Sequence, residues 1–214
     1  VLREKLSAFH AVTPEGVDLP PFLGGAVGMV AYDWVRVVER IPDGNPDDIE
    51  MPEVWFVLPE TIVVFDNVRH TALVVRHVSV GEGADTRVLY REALEQLEGV
   101  VRRLREPLPA EPAREPVRAP MDLQRSMTRE AFHEIVKRAK EYIEAGDIFQ
   151  VVLSQQFRMP LQVDPFTIYR HLRRINPSPY LFFVRCEGPV LIGSSPEIHV
   201  RVENGRIDLR PIAG

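Results

Sequence analysis

A single cysteine, Cys186, rules out any disulfide within the chain. The fold must be held by packing and hydrogen bonds alone, which suits a reducing compartment. Cys186 itself reads as a small buried apolar residue of a strand rather than a reactive thiol. Positive charge is also short. Lys and Arg number 26 against 31 Asp and Glu, and the formal charge of −5 lacks the basic excess of a nucleic-acid binder. No run of 18 apolar residues is present, so no membrane span is expected. The opening Val1-Leu-Arg-Glu-Lys-Leu6 has no apolar signal core. Together these absences point to a cytoplasmic protein that binds neither nucleic acid nor membrane.

Several chemical signatures are missing as well. There is no Gly-x-Ser-x-Gly nucleophile elbow, no phosphate loop and no internal repeat. Glycines 24, 25 and 28 do not form a dinucleotide fingerprint, because Pro20-Pro21 rather than a strand precedes them. His133-Glu134 is followed four positions on by Lys137, so it is not a zinc-binding helix motif. None of the six histidines has metal-ligand spacing, and no metal ligand is assigned in this chain.

What is present is an ordinary globular composition, 45% apolar and 27% charged. Over 214 residues that allows one sizeable core or two small ones. Residues 1–11 are weakly helical, with Pro14 as the stop. Residues 26–32 read as a strand whose glycines admit another backbone or a ligand at close range. Residues 41–52 form a loop. The runs 54–58, 61–65 and 72–78 are β-rich and suggest an antiparallel meander, with Asp66-Asn67 at a turn. Residues 82–104 carry Val88, Leu89, Leu94, Leu97, Val101 and Leu104 at helical spacing.

Residues 106–122 interleave five prolines with charges, as an extended crossover linker would. The expected organisation is a first block at 1–105, the linker at 106–122, and a second block at 123–214, either as separate domains or as one large sheet protein with a surface crossover.

The second block opens with the clearest helix. Thr128 is its N-cap and Gly146 its C′ residue, and Phe132, Ile135, Val136, Ala139, Tyr142 and Ile143 are expected to form its buried stripe. Residues 148–157 read as a strand with Gln150 beside Val152 and Ser154. Asp164-Pro165 starts a short helix with Ile168, Tyr169, Leu172 and Ile175 inward, and Asn176-Pro-Ser-Pro179 stops it. Residues 180–185 and 190–193 are strands, and Ser194-Ser195-Pro196 is a turn. Asn204-Gly205 specifies a type I′ hairpin pairing Glu203 with Arg206, Val202 with Ile207, Arg201 with Asp208 and Val200 with Leu209. Opposite charges then meet on one face, and the apolar face is expected to be buried.

Four stretches carry a resemblance beyond this α+β reading. They are Gly146-Asp-Ile-Phe-Gln-Val-Val-Leu-Ser-Gln155, Asn176-Pro-Ser-Pro-Tyr-Leu-Phe-Phe183, Ile192-Gly-Ser-Ser-Pro-Glu197 and Arg210-Pro-Ile-Ala-Gly214. In this order they resemble the chorismate-utilising enzymes, and among those the large subunits (component I) of anthranilate synthases. Pro21-Phe-Leu-Gly-Gly-Ala-Val-Gly28 and Ala31-Tyr-Asp33 are similar to the N-terminal region of the same subunits. The resemblance implies an α+β sandwich of large, mainly antiparallel sheets with helices outside, incomplete in this chain. It implies amination of chorismate at ring C2 with loss of the 4-hydroxyl, then elimination of pyruvate to give anthranilate. It further implies Mg²⁺ as cofactor, a glutamine amidotransferase partner subunit supplying ammonia within a hetero-oligomer, and feedback inhibition by tryptophan.

Residue by residue, the resemblance puts Gln150 on the ammonia side of the reaction, where related isochorismate synthases carry a Lys. Water needs a base and ammonia does not, so Gln150 favours amination. Ala213 stands where aminodeoxychorismate synthases commonly carry a nucleophilic Lys, which argues against that alternative. Asn176, Pro177, Pro179, Tyr180, Leu181 and Phe182 match the tryptophan-binding loop, with Pro179, Tyr180 and Leu181 nearest the inhibitor. Gly214 matches a glycine whose backbone contacts chorismate. The Mg²⁺ ligands, the catalytic histidine and a carboxylate-binding arginine are expected beyond residue 214, and part of the tryptophan site before Val1. The chain therefore reads as an internal fragment, inactive alone. A non-catalytic tryptophan-binding module is the alternative of a different class.

Overall fold

The computed structural model describes residues 2–13, 16–109 and 122–210. The chain divides into two compact units, Val1–Pro112 and Ala113–Gly214. The proline-rich residues 110–121, and Pro14, Ala213 and Gly214, lie outside the described residues.

The first unit contains α1 (Leu2–Ser7), β1 (Val27–Val30), a short 3₁₀ segment (Tyr32–Val37), β2 (Val54–Val57), β3 (Thr61–Asp66), β4 (Thr71–Arg76) and α2 (Thr86–Arg105). The expected meander of three runs does not form. β2 pairs antiparallel with β1, Gly28 standing opposite Phe56, while β3 and β4 make their own hairpin. The glycine explains the choice: a Cβ at Gly28 would collide with the Trp55 carbonyl oxygen and lie 2.7 Å from the Phe56 Cα. Only glycine lets these two backbones approach so closely. Gly24 plays a similar part, because a Cβ there would strike the His77 ring. His77 Nε2 in turn sits at the Leu23 carbonyl oxygen.

The β3–β4 turn follows from Asp66, whose Oδ1 accepts from the Val68 and Arg69 amides, each at 2.9 Å. These bonds hold the carboxyl below the ordinary carboxylate range, the Arg69 amide contributing most. α2 begins at Asp85, which accepts from Arg87 N at 3.0 Å and Val88 N at 3.4 Å. Its Leu94, Leu97 and Val101 face Ala72 and Val74 of β4 across an open apolar groove of about 590 Å³, rimmed by Glu98, Arg102 and Arg105.

The second unit contains β5 (Gln124–Arg125), α3 (Arg129–Ala145), β6 (Phe157–Arg158), α4 (Pro165–Ile175), β7 (Tyr180–Arg185), β8 (Val190–Ser195), β9 (Val200–Glu203) and β10 (Arg206–Leu209). The helix signals read from sequence hold. Thr128 caps α3 through the Ala131 amide at 3.1 Å, and Gly146 ends it at φ 81°. Asp164 caps α4 through Phe166 N at 2.9 Å, with Pro165 in the first turn.

Three expectations need correction. The long strand over 148–157 shrinks to Phe157–Arg158, paired with Gln124–Arg125. A strand exists only where a neighbour supplies a ladder, and β5 supplies two residues. Ser194 and Ser195 belong to β8 rather than to a turn, since the ladder with β7 runs through Tyr180↔Ser195. Of the side chains expected inward, Ile175 at the last position of α4 is 81% exposed and Ile168 is 39% exposed, while Tyr142 and Ile143 near the end of α3 are 41% and 44% exposed.

The β9–β10 hairpin has the register expected, Glu203↔Arg206 through Val200↔Leu209, with Asn204 and Gly205 at φ 50° and 76°. Its apolar face is not buried. Val200, Val202, Ile207 and Leu209 are all more than half exposed, since no layer covers them among the described residues. Cys186 alone among those residues is buried.

The class is therefore α+β with antiparallel strands, paired in twos among the described residues, with α2 against β4 and α4 against β7 and β8.

Candidate functional site

The best-defined local geometry lies where α4, β7 and β8 meet. α4 packs across the β7–β8 hairpin. Strand alternation sends Leu181, Phe183 and Arg185 to one face of β7, and Tyr180, Phe182 and Val184 to the other. Phe183 meets α4 through Phe166, edge-on at 5.4 Å between centroids, and through Tyr169 at 5.8 Å. Phe166 and Tyr169 stack on each other at 5.8 Å. Two guanidinium groups lie over this trio, Arg173 over Tyr169 at 5.9 Å and Arg185 over Phe183 at 5.8 Å.

Residues 176–182 leave the end of α4 and enter β7. Asn176 closes the helix, its amide donating to the Leu172 carbonyl at 2.9 Å. Pro177 and Pro179 carry no amide hydrogen, so this turn has few main-chain bonds of its own. Serine hydroxyls supply others. Ser194 Oγ donates to the Asn176 carbonyl at 2.8 Å, and Ser178 Oγ donates to the Ser195 carbonyl. Tyr180 pairs with Ser195, Leu181 with Ser194 and Phe182 with Gly193. The Phe182 ring lies over Gly193, where a Cβ would collide with it. Tyr180 and Phe182 remain 37% and 43% exposed, so this face presents two accessible aromatic rings.

The structure thus gathers Asn176, Pro177, Pro179, Tyr180, Leu181 and Phe182 into one continuous stretch. It also separates two of them, since Tyr180 and Leu181 point to opposite faces. Gln150 is exposed and outside any regular element, and no hydrogen bond joins it to residues 176–182 among the described residues. Gly214 lies outside the described residues. Sequence reading passed over Ser178 and Ser194 as parts of this site. A serine set directly between two prolines at a helix stop, with the Ser194-Ser195 pair further along the chain, was the available signal.

Among the described residues no three His, Cys, Asp or Glu side chains come together as a metal site. No helix among those residues is long and apolar enough to cross a membrane.

Comparison with known proteins covers the whole chain. The family model described as "chorismate binding enzyme" matches residues 1–214. "Anthranilate synthase component 1" of Thermus thermophilus is 42% identical over 100% of this chain and 44% of that protein. The Arabidopsis thaliana "Anthranilate synthase alpha subunit 2, chloroplastic" is 40% identical over 94% of this chain and 34% of its own length. The crystal structure of anthranilate synthase component I from Streptococcus pneumoniae superposes with a TM-score of 0.77 at 32% identity. That superposition covers 96% of this chain and 45% of the other. The chain spans less than half the length of these relatives.

Proposed function

Because this chain belongs to the chorismate binding enzyme family, we propose that it is part of the large subunit of an anthranilate synthase. The observation that carries the reading is the 42% identity, running the full length of the chain, to a protein of that name. In this reading ammonia adds at C2 of chorismate as the 4-hydroxyl leaves as water. Loss of a ring proton and of the enolpyruvyl ether, released as pyruvate, then makes the ring aromatic and gives anthranilate. Ammonia comes from glutamine through an amidotransferase subunit, and tryptophan inhibits.

The residues described here have limited parts in that scheme. Gln150 offers an amide that neither accepts a proton as a base would nor competes with ammonia as a nucleophile. The 176–182 stretch offers a proline-rich turn beside two accessible rings, which suits an indole that wants flat apolar contact and a few polar anchors. Mg²⁺ would shield the substrate carboxylate. Its ligands, in this reading, lie in the part of the relatives that this chain does not span. Residues 106–122 serve as a crossover between a first block and a chorismate-binding block. The 214 residues alone do not turn over chorismate, and the compartment is the cytoplasm.

The test supplies the full-length polypeptide with chorismate, an ammonium salt and Mg²⁺, and follows anthranilate by fluorescence. Anthranilate and pyruvate in equal amounts are expected. A para-amino product, or no turnover, overturns the reading. Anthranilate formed by the 214-residue chain alone would overturn the inactive-segment part only.

A further inference from the structure

We propose that Ser178 and Ser194 are positioning residues that latch the turn between α4 and β7 to the end of β8, and so set how tightly residues 176–182 hold tryptophan. This rests on the reading of that stretch as the tryptophan site.

The latch is built from two hydroxyls that cross between the same two segments in opposite directions. From β8, Ser194 Oγ reaches the Asn176 carbonyl at 2.8 Å. From the turn, Ser178 Oγ reaches the Ser195 carbonyl. A third hydroxyl, Ser195 Oγ, donates to the Glu197 carbonyl at 2.9 Å and holds the strand end that receives the latch.

The turn needs such help for a structural reason. Pro177 and Pro179 remove two of its amide donors, so main-chain bonds cannot zip it into the sheet. Packing does not fix it either, since Asn176, Pro177 and Pro179 are exposed. From Tyr180 onward the ladder to β8 holds the chain, so the two serines act one step earlier, on the Pro177–Pro179 turn that lies beside the two rings. Loss of the latch would let that turn move against the rings, while Phe183 stays held against Phe166 and Tyr169.

The experiment measures, on the full-length enzyme, the tryptophan concentration for half inhibition alongside kcat/KM for chorismate. Ser178→Ala and Ser194→Ala should each raise the half-inhibitory concentration roughly two- to tenfold, the effect of one lost hydrogen bond on binding, with kcat/KM unchanged. Ser178→Thr and Ser194→Thr keep the Oγ and should restore inhibition. Wild-type enzyme that makes anthranilate but ignores tryptophan overturns the tryptophan-site reading, and the inference falls with it. Wild-type enzyme inhibited normally, with both alanine variants inhibited equally well, overturns the latch alone. Loss of kcat/KM in both alanine variants also overturns it, since the serines would then support the whole fold rather than this site.

Discussion

The apolar face of the β9–β10 hairpin gives the sharpest quantitative test. Val200, Val202, Ile207 and Leu209 are 51%, 63%, 64% and 63% exposed. Full burial of such side chains is worth roughly 1.5–3 kcal/mol each, so their exposed parts leave on the order of 4–7 kcal/mol unrealised. A face of this kind recruits whatever apolar surface it meets. Changing Val202→Thr together with Ile207→Thr keeps β-branching at a directly opposed pair and replaces a methyl of Val202 and the ethyl branch of Ile207 by hydroxyls. If the face is exposed, the hairpin loses less than about 1 kcal/mol per site, because only the covered third of each side chain contributed. If the face were buried, two unpaired hydroxyls would cost roughly 2–6 kcal/mol together. The assay compares wild-type and doubly substituted 214-residue chains by dye binding to exposed apolar surface, by light scattering on a sizing column, and by amide exchange over residues 200–209. Less dye binding, less self-association and unchanged exchange are expected. Unchanged dye binding, or collapse of exchange protection across the hairpin, would refute the reasoning.

Other outcomes follow from single contacts. Gly28→Ala should destabilise the first unit by about 1–3 kcal/mol, because the obstructing atoms are backbone of β2 and cannot step aside. Gly44→Ala, with no atom within 4 Å of its Cβ, should stay within about 0.5 kcal/mol; urea titration followed by far-UV dichroism separates the two. Thr128→Ala should cost α3 about 1 kcal/mol through its lost cap, read as faster exchange in the first turn. Asp66 has a folded pKa below its unfolded value. Its contribution is therefore fully present above the unfolded carboxylate range and is lost as pH falls through the lower, folded pKa. Exchange protection of the β3–β4 hairpin should thus hold from neutral pH to about 5 and weaken below about 4, while Asp66→Asn flattens that profile. A profile unchanged by Asp66→Asn would show that other groups carry it.

Much of the local structure could be read directly. Asn204-Gly205 dictated the turn and the partners of every residue in the last hairpin, because a type I′ turn leaves one register open. Thr128, Asp164-Pro165 and Gly146 marked helix ends, because an oxygen acceptor, a fixed φ and a left-handed residue each act within one turn of chain. The 176–182 stretch was likewise legible as a helix stop running into a strand.

Three other features were not local, and the sequence misled about each. The strand propensity of residues 148–156 was real, but a ladder needs a partner, and the described residues offer one only at Gln124–Arg125. The β-rich run 54–58 was compatible with pairing to the next run. It went instead to β1, where Gly28 opens the close backbone approach that the glycines of residues 26–32 had suggested without naming the partner strand. Alternation told which side chains of the last hairpin share a face, but not whether anything covers that face. Caps, turns and register were thus determined by the residues themselves, through bonds reaching only a few positions along the chain. Strand partners, burial, and the serine hydroxyls that tie the 176–182 turn to β8 were decided by the tertiary structure. They depend on groups distant in sequence arriving within hydrogen-bond or van der Waals reach.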